Sequence, residues 1–144
     1  MEEDACVSLP AGQPALRVMP MITDINGFGS VFGGWTMSQM DIAAGTTAMR
    51  EAGGKVTTAA ASINFERPLR VGCIVSFYAD IVARGRTSLR IKVEAYAEQG
   101  SSTYVDGASA PALSCGFPYR AARAEFVFVA VDDEGRKREL PSRG

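Results

Sequence analysis

Asp41 closes the stretch "DINGFGSVFGGWTMSQMD", in which a glycine-rich loop runs into an apolar, methionine-rich segment that ends in a carboxylate. Glycines ahead of a helix can present backbone N–H groups to an anion or a polarised carbonyl. A mid-helix aspartate among apolar neighbours is either a satisfied core polar group or a catalytic base. The chain contains no histidine, which excludes Ser-His-Asp triads, Cys-His dyads, histidine-dependent dehydratases and His-ligated metal sites. Chemistry must therefore use carboxylates, hydroxyls, thiols, amines or backbone dipoles. A carboxylate such as Asp41 can hold and activate a water or attack a carbonyl carbon itself. Gly33 and Gly34 read as helix-end geometry, and equally as an oxyanion donor, because both uses need unpaired N–H groups.

Other signals are weaker. "GFGSVFG" has the spacing G-x-G-x-x-x-G, one residue too long for a dinucleotide fingerprint, and no βαβ unit surrounds it. Cys6, Cys73 and Cys115 are an odd number, widely spaced, and fit neither a disulfide framework nor a zinc pattern. Cys73 lies on an apolar strand face and Cys115 in a loop without a basic neighbour, so both read as packing or idle thiols. Arg67, Arg70, Arg84, Arg86 and Arg90 bracket two strands, and most such side chains are solvated.

These groups need elements to position them. The period of apolar residues predicts one long helix over 33–51, "GGWTMSQMDIAAGTTAMRE", stopped by Gly53-Gly54. Met37, Met40, Asp41, Ala44 and Ala48 recur at helical steps, which puts Asp41 within a small-residue face. Beyond it the period becomes 2, over 73–83 and 87–98, with "RGR" turning between them. Strands at 56–65 and 120–131, and a short edge strand at 15–21 broken by Pro20, bring the count to about five. Consecutive strands without intervening helices form an antiparallel sheet, with the single helix over its concave apolar face, an α+β domain.

The chain of 144 residues, 47% hydrophobic and 22% charged, suits one globular domain. We expect a flexible segment at 1–14 and the domain at 15–141. A net charge of -1 argues against nucleic acid as a partner, and the acidic N-terminus and short apolar runs argue for a cytoplasmic protein without membrane contact. Residues 99–118, rich in Gly, Ser, Ala and Pro, read as a mobile flap or an oligomer contact. The tail "EGRKRELPSRG" reads as solvated coil.

With "FERPLRVG", "GRTSLRIKVE" and "FVAVDDEGRKRELP" added to "FGGWTMSQMD", the chain resembles the YciA-type acyl-CoA thioesterases of the hotdog superfamily, from Leu16 to Pro141 apart from the long loop. The resemblance implies a hotdog fold, a curved antiparallel sheet wrapped around one long helix. It also implies homodimers joined sheet edge to sheet edge, assembled further into hexamers, and hydrolysis of acyl-CoA to free acid and CoA at a site between two subunits. No metal or cofactor is implied, CoA being part of the substrate and product. Carried onto this chain, the family's catalytic carboxylate falls on Asp41, its glycine pair on Gly33 and Gly34, with the Gly34 N–H as oxyanion donor, and its first loop asparagine on Asn26. Arg67, Arg86, Thr87 and Ser88 are placed at the CoA end, with Ser30 and Phe32 beside the substrate. Phe28 and Ser30 depart from the family pattern "N-x-N-G-D-I-F-G-G", and acyl-group preference is where that departure should tell. The second reading is a non-hydrolytic acyl-CoA-binding or ligand-sensing hotdog protein.

Overall fold

The structure is a computed structural model and describes residues 7–100, 104–105, 108–109 and 117–142. Its chain order is β1 (Leu16–Val18), a 3-10 turn (Ile22–Asp24), α1 (Gly33–Ala52), β2 (Val56–Phe65), β3 (Ile74–Arg84), β4 (Ser88–Glu98), β5 (Tyr104–Val105), β6 (Ala108–Ser109) and β7 (Tyr119–Ala130). Five of the strands form one antiparallel sheet in the order β1-β3-β4-β7-β2. β5 and β6 pair only with each other. The expectations for 1–14 and 99–118 fall partly outside the described residues.

The sheet curves because its ladders slip at three places, between Thr58 and Ala60, Ile81 and Ala83, and Ala95 and Tyr96; bulges of this kind bend a strand and increase its twist. α1 lies in the resulting concavity. Met40, Ala43, Ala44 and Ala48 are fully buried against Val75, Phe77, Ile91, Val93, Phe126 and Phe128. Alanines on the helix and aromatics on the sheet divide the core volume between them, so the helix axis rides close to the strands. The helix ends where expected: Gly53 takes the left-handed conformation, φ 66°, and its N–H bonds the Met49 carbonyl at 2.9 Å.

Two expectations need correction. Asp41 shares its helical step with Met40, Ala44 and Ala48, but the buried arc stops short of it: Met37 and Asp41 are both exposed, and Asp41 reaches Thr58 of β2. The tail beyond β7 is also more than solvated coil. Arg138 N–H bonds the Ala130 carbonyl at 3.0 Å and Leu140 N–H the Arg86 carbonyl at 2.9 Å, Leu140 packs against the core, and Arg84 ties Glu51 to the Pro141 carbonyl. The bonds of Leu140 and Arg84 join segments remote in sequence, and local composition carries no trace of them.

Candidate functional site

The start of α1 is left open by its own sequence. Its N-cap is Phe32, which has no side-chain oxygen to offer, and no side chain among the described residues caps the helix. The Phe32 carbonyl accepts from Trp35 and Thr36 N–H at 3.1 and 3.4 Å, while Phe32 N–H docks on the Asp24 carbonyl at 2.9 Å. The N–H groups of Gly33 and Gly34 therefore meet no acceptor among the described residues. Such donors, with the positive end of the helix dipole behind them, suit an anion or a carbonyl that becomes one. The two differ in access. A Cβ on Gly33 would stand 3.3 Å from the Phe65 ring, whereas one on Gly34 would meet nothing within 4 Å.

Asn26 shapes the loop that leads in. Its Oδ1 accepts from Phe28 N–H at 2.8 Å and Ser30 N–H at 3.2 Å, and its own N–H bonds the Ser30 carbonyl at 2.7 Å. This side-chain-held turn leaves Phe28 88% exposed at its tip. Val31 N–H then ties the loop to the Leu69 carbonyl at 2.9 Å.

Between that loop and the strand ends lies a cavity of about 340 Å³, bordered by Ser30, Val31, Gly33 and Thr36 on one side and by Phe65 to Leu69, Ala121 and Ala122 on the other. Arg67 stands at its lip, its guanidinium 4.3 Å above the Tyr119 ring, and Tyr119 is buried with its hydroxyl donating to the Pro68 carbonyl at 2.6 Å. A cation held over a fixed ring has a defined direction. Glu66, also on the cavity border, takes Arg120 at 2.6 and 3.0 Å, Glu94 adding a third bond at 2.9 Å. Glu66 in this way keeps the Arg120 guanidinium more firmly protonated than usual.

Asp41 lies seven residues along α1 from Gly34. Its Oδ1 accepts a 3.0 Å hydrogen bond from the hydroxyl of Thr58, on β2. Thr58 is the residue that sequence reasoning passed over. The available signal was a hydroxyl amino acid heading the alanine run of "VTTAAAS", and only the docking of β2 beside α1 gives it meaning.

Of the residues assigned to substrate, Ser30 and Arg67 border the cavity and Phe32 stands exposed at the helix start. Arg86, Thr87 and Ser88 do not join them. Ser88 pairs with Val129, seven residues along β7 from Ala122, which is about 23 Å at 3.3 Å per residue. Arg86 there faces Glu139 at 3.7 Å. Cys73 is fully buried, its thiol bonded to the Arg70 carbonyl at 2.9 Å, and burial pushes its pKa up, which makes it a poor nucleophile.

Residues 28–104 match the Thioesterase superfamily. Over 136 residues, 94% of this chain and 95% of the relative, the sequence is 39% identical to the acyl-CoA thioester hydrolase YciA of Salmonella typhimurium. The hexameric thioesterase of Yersinia pestis superposes with a TM-score of 0.79 at 38% identity, over 93% of this chain and all of that one. The acyl-CoA hydrolase of Staphylococcus aureus, solved with butyryl coenzyme A and coenzyme A, superposes at 0.73 with 27% identity, over 88% of this chain and 70% of that one. It has also been solved with an asparagine, an aspartate or a threonine exchanged for alanine, at positions spaced along its chain as Asn26, Asp41 and Thr58 are here.

Proposed function

This chain belongs to the Thioesterase superfamily, and from that premise we propose that it hydrolyses the thioester of acyl-CoA to a free carboxylic acid and CoA, with Gly34 and Asp41 as its working groups. The observation that carries the residue assignment is the uncapped start of α1, where Gly33 borders a cavity and Gly34 is the next residue of the helix. The thioester carbonyl accepts from Gly34 N–H. Asp41, one oxygen held by Thr58, takes a proton from water as the water oxygen bonds to the carbonyl carbon. The oxyanion that forms is stabilised by the donor, a contribution of roughly 3 kcal/mol in acyl-transfer enzymes. When it collapses, the C–S bond breaks and the CoA thiolate leaves with the proton. Direct attack by the carboxylate, through an acyl-aspartyl intermediate that water then opens, would use the same two groups.

The two groups belong to different protomers in this scheme. Gly34 and Asp41 are separated by about 10 Å along the axis at 1.5 Å per residue. Helix N–H groups point toward the N-terminus, so the carbonyl bound at Gly34 lies further still from the Asp41 of the same helix. A second copy removes the gap. β2 forms an edge of the sheet, is exposed along most of its ten residues, and in "VTTAAASINF" carries neither charge nor proline. Such an edge is a template for another strand. Two β2 strands paired antiparallel about their middles bring Thr58 and Asp41 of one protomer toward the Phe65 end of the other. The same pairing carries the Arg86–Ser88 hairpin toward the facing cavity, where with Arg67 it meets the phosphates of CoA. We take the assembly to be a homodimer built up into a hexamer, the Yersinia pestis relative being hexameric.

Thiol release measured over acyl-CoAs of increasing chain length, on wild type and on Asp41→Ala, tests this. Wild type should release CoA and Asp41→Ala should lose at least about a hundredfold in kcat. Binding of acyl-CoA without release by wild type would instead identify a ligand-binding member of the fold, and full activity in Asp41→Ala would remove that residue from the mechanism.

A further inference from the structure

α1 contains three threonines, and two of them give their hydroxyls a partner. Thr46 bonds back to the Ile42 and Ala43 carbonyls at 3.0 and 3.1 Å, Thr47 to the Ala43 carbonyl at 3.0 Å.

 Thr58, outside the helix on β2, docks on it through Asp41 at 3.0 Å. Thr36 is the exception. It is 3% exposed, it borders the cavity beside Gly33, and its hydroxyl meets no partner among the described residues. The carbonyl it would use for the same back-bond, that of Phe32, already accepts two N–H groups. A buried hydroxyl without a partner costs free energy, and a position that keeps one at the wall of a cavity is completed by what enters the cavity.

We propose that the Thr36 hydroxyl selects acyl groups that carry a hydroxyl or keto oxygen close to the thioester, a reading that rests on the acyl-CoA hydrolase assignment above and names its substrate class. The reach follows from the helix. Thr36 lies about 4.5 Å along the axis from Gly33, and helical side chains lean toward the N-terminus, so its hydroxyl approaches the carbonyl held at Gly34. Only an oxygen near the thioester end of the acyl chain comes within range of both. Ser30 borders the same cavity and adds a second hydroxyl to its wall. A plain alkyl chain entering here leaves the Thr36 hydroxyl unsatisfied, whereas a 3-hydroxyacyl or 3-ketoacyl chain gives it a partner. Sites built to bond a substrate oxygen discriminate against the analogue that lacks it.

The test compares 3-hydroxybutyryl-CoA with butyryl-CoA on wild type, Thr36→Val and Thr36→Ser, the first change replacing the hydroxyl by a methyl of similar shape and the second keeping it. Wild type should favour the hydroxylated substrate in kcat/KM by at least about fivefold. Thr36→Val should abolish that ratio with its activity on butyryl-CoA kept or raised, and Thr36→Ser should retain it. An equal ratio in wild type and Thr36→Val overturns the proposal, the hydroxyl then serving a buried water. Butyryl-CoA turnover by wild type reads the hydrolase assignment separately. If neither substrate is turned over, calorimetric binding of the two acyl-CoAs reads the same ratio: preference lost in Thr36→Val supports the proposal, and equal affinity in wild type overturns it. Should Thr36→Val fail to fold, Thr36→Ala replaces it in every arm.

Discussion

A backbone donor is tested by removing the N–H and keeping the fold. Gly34 is the second residue of α1 and a Cβ there meets nothing within 4 Å among the described residues, and proline is tolerated in the first turn of a helix, where the N–H has no intrahelical partner. Gly34→Pro should therefore lower kcat by about a hundredfold or more, while its melting temperature stays close to that of wild type; Gly34→Ala, which keeps the N–H, should retain most of the activity. Steady-state thiol release with matched thermal melts decides it, and an active Gly34→Pro would remove this donor. Thr58→Val removes the hydroxyl that holds Asp41 Oδ1 and leaves the carboxylate in place. We expect kcat to fall about tenfold with KM little changed, since one neutral donor to a charged acceptor is worth about 1.5–3 kcal/mol and only part of it concerns orientation. Asp41 and the glycines were legible because they share one unbroken stretch. Thr58 was not, because its meaning comes from the docking of β2 beside α1, a contact that no local pattern encodes.

The inner strands were legible from their alternation, one face buried by α1, as in Leu89, Ile91, Val93 and Ala95 of β4. β2 shows no alternation because nearly all of it is exposed in the single chain. Burial also gives β3 a measurable pH signature. Cys73, at the mouth of β3, has its pKa raised above the ordinary 9.0 chiefly by burial. The unfolded thiol ionises near its ordinary value while the folded one stays protonated, so unfolding releases a proton. Stability is thus intact below about pH 9 and falls as pH rises beyond it, through the raised folded value. Tyr96 on β4, raised by burial and by Glu94, adds a loss of the same sign beginning above its ordinary 10.0. Denaturant titrations at pH 8 and pH 10 should show wild type losing stability across the interval. Cys73→Ala will be less stable at both pH values because of the cavity it leaves, but the drop between them should be smaller than in wild type. An unchanged drop would mean that the thiol ionises alike in both states.

At the scale of the whole molecule, a closed sheet edge and a divided active site are one claim. A chain that left β2 unpaired would expose an uncharged edge of ten residues to solvent, which natural sheets avoid. Pairing it with a second copy covers that edge and supplies each Gly34 donor with an Asp41. The claim separates from a site contained in one protomer by mixing two inactive variants. Asp41→Ala protomers keep the Gly34 donor, and Gly34→Pro protomers keep Asp41. In a two-fold symmetric dimer each site takes one residue from each chain, so a mixed dimer holds one site with both residues altered and one with neither. Random reassortment makes half of all dimers mixed, and the recovered activity should be about a quarter of wild type. Each variant alone should stay inactive, and unfolding the two together and refolding them should be needed for recovery if the assembly does not exchange subunits. A site built within one protomer predicts no recovery at any mixing ratio, because every protomer would lack one of its two groups.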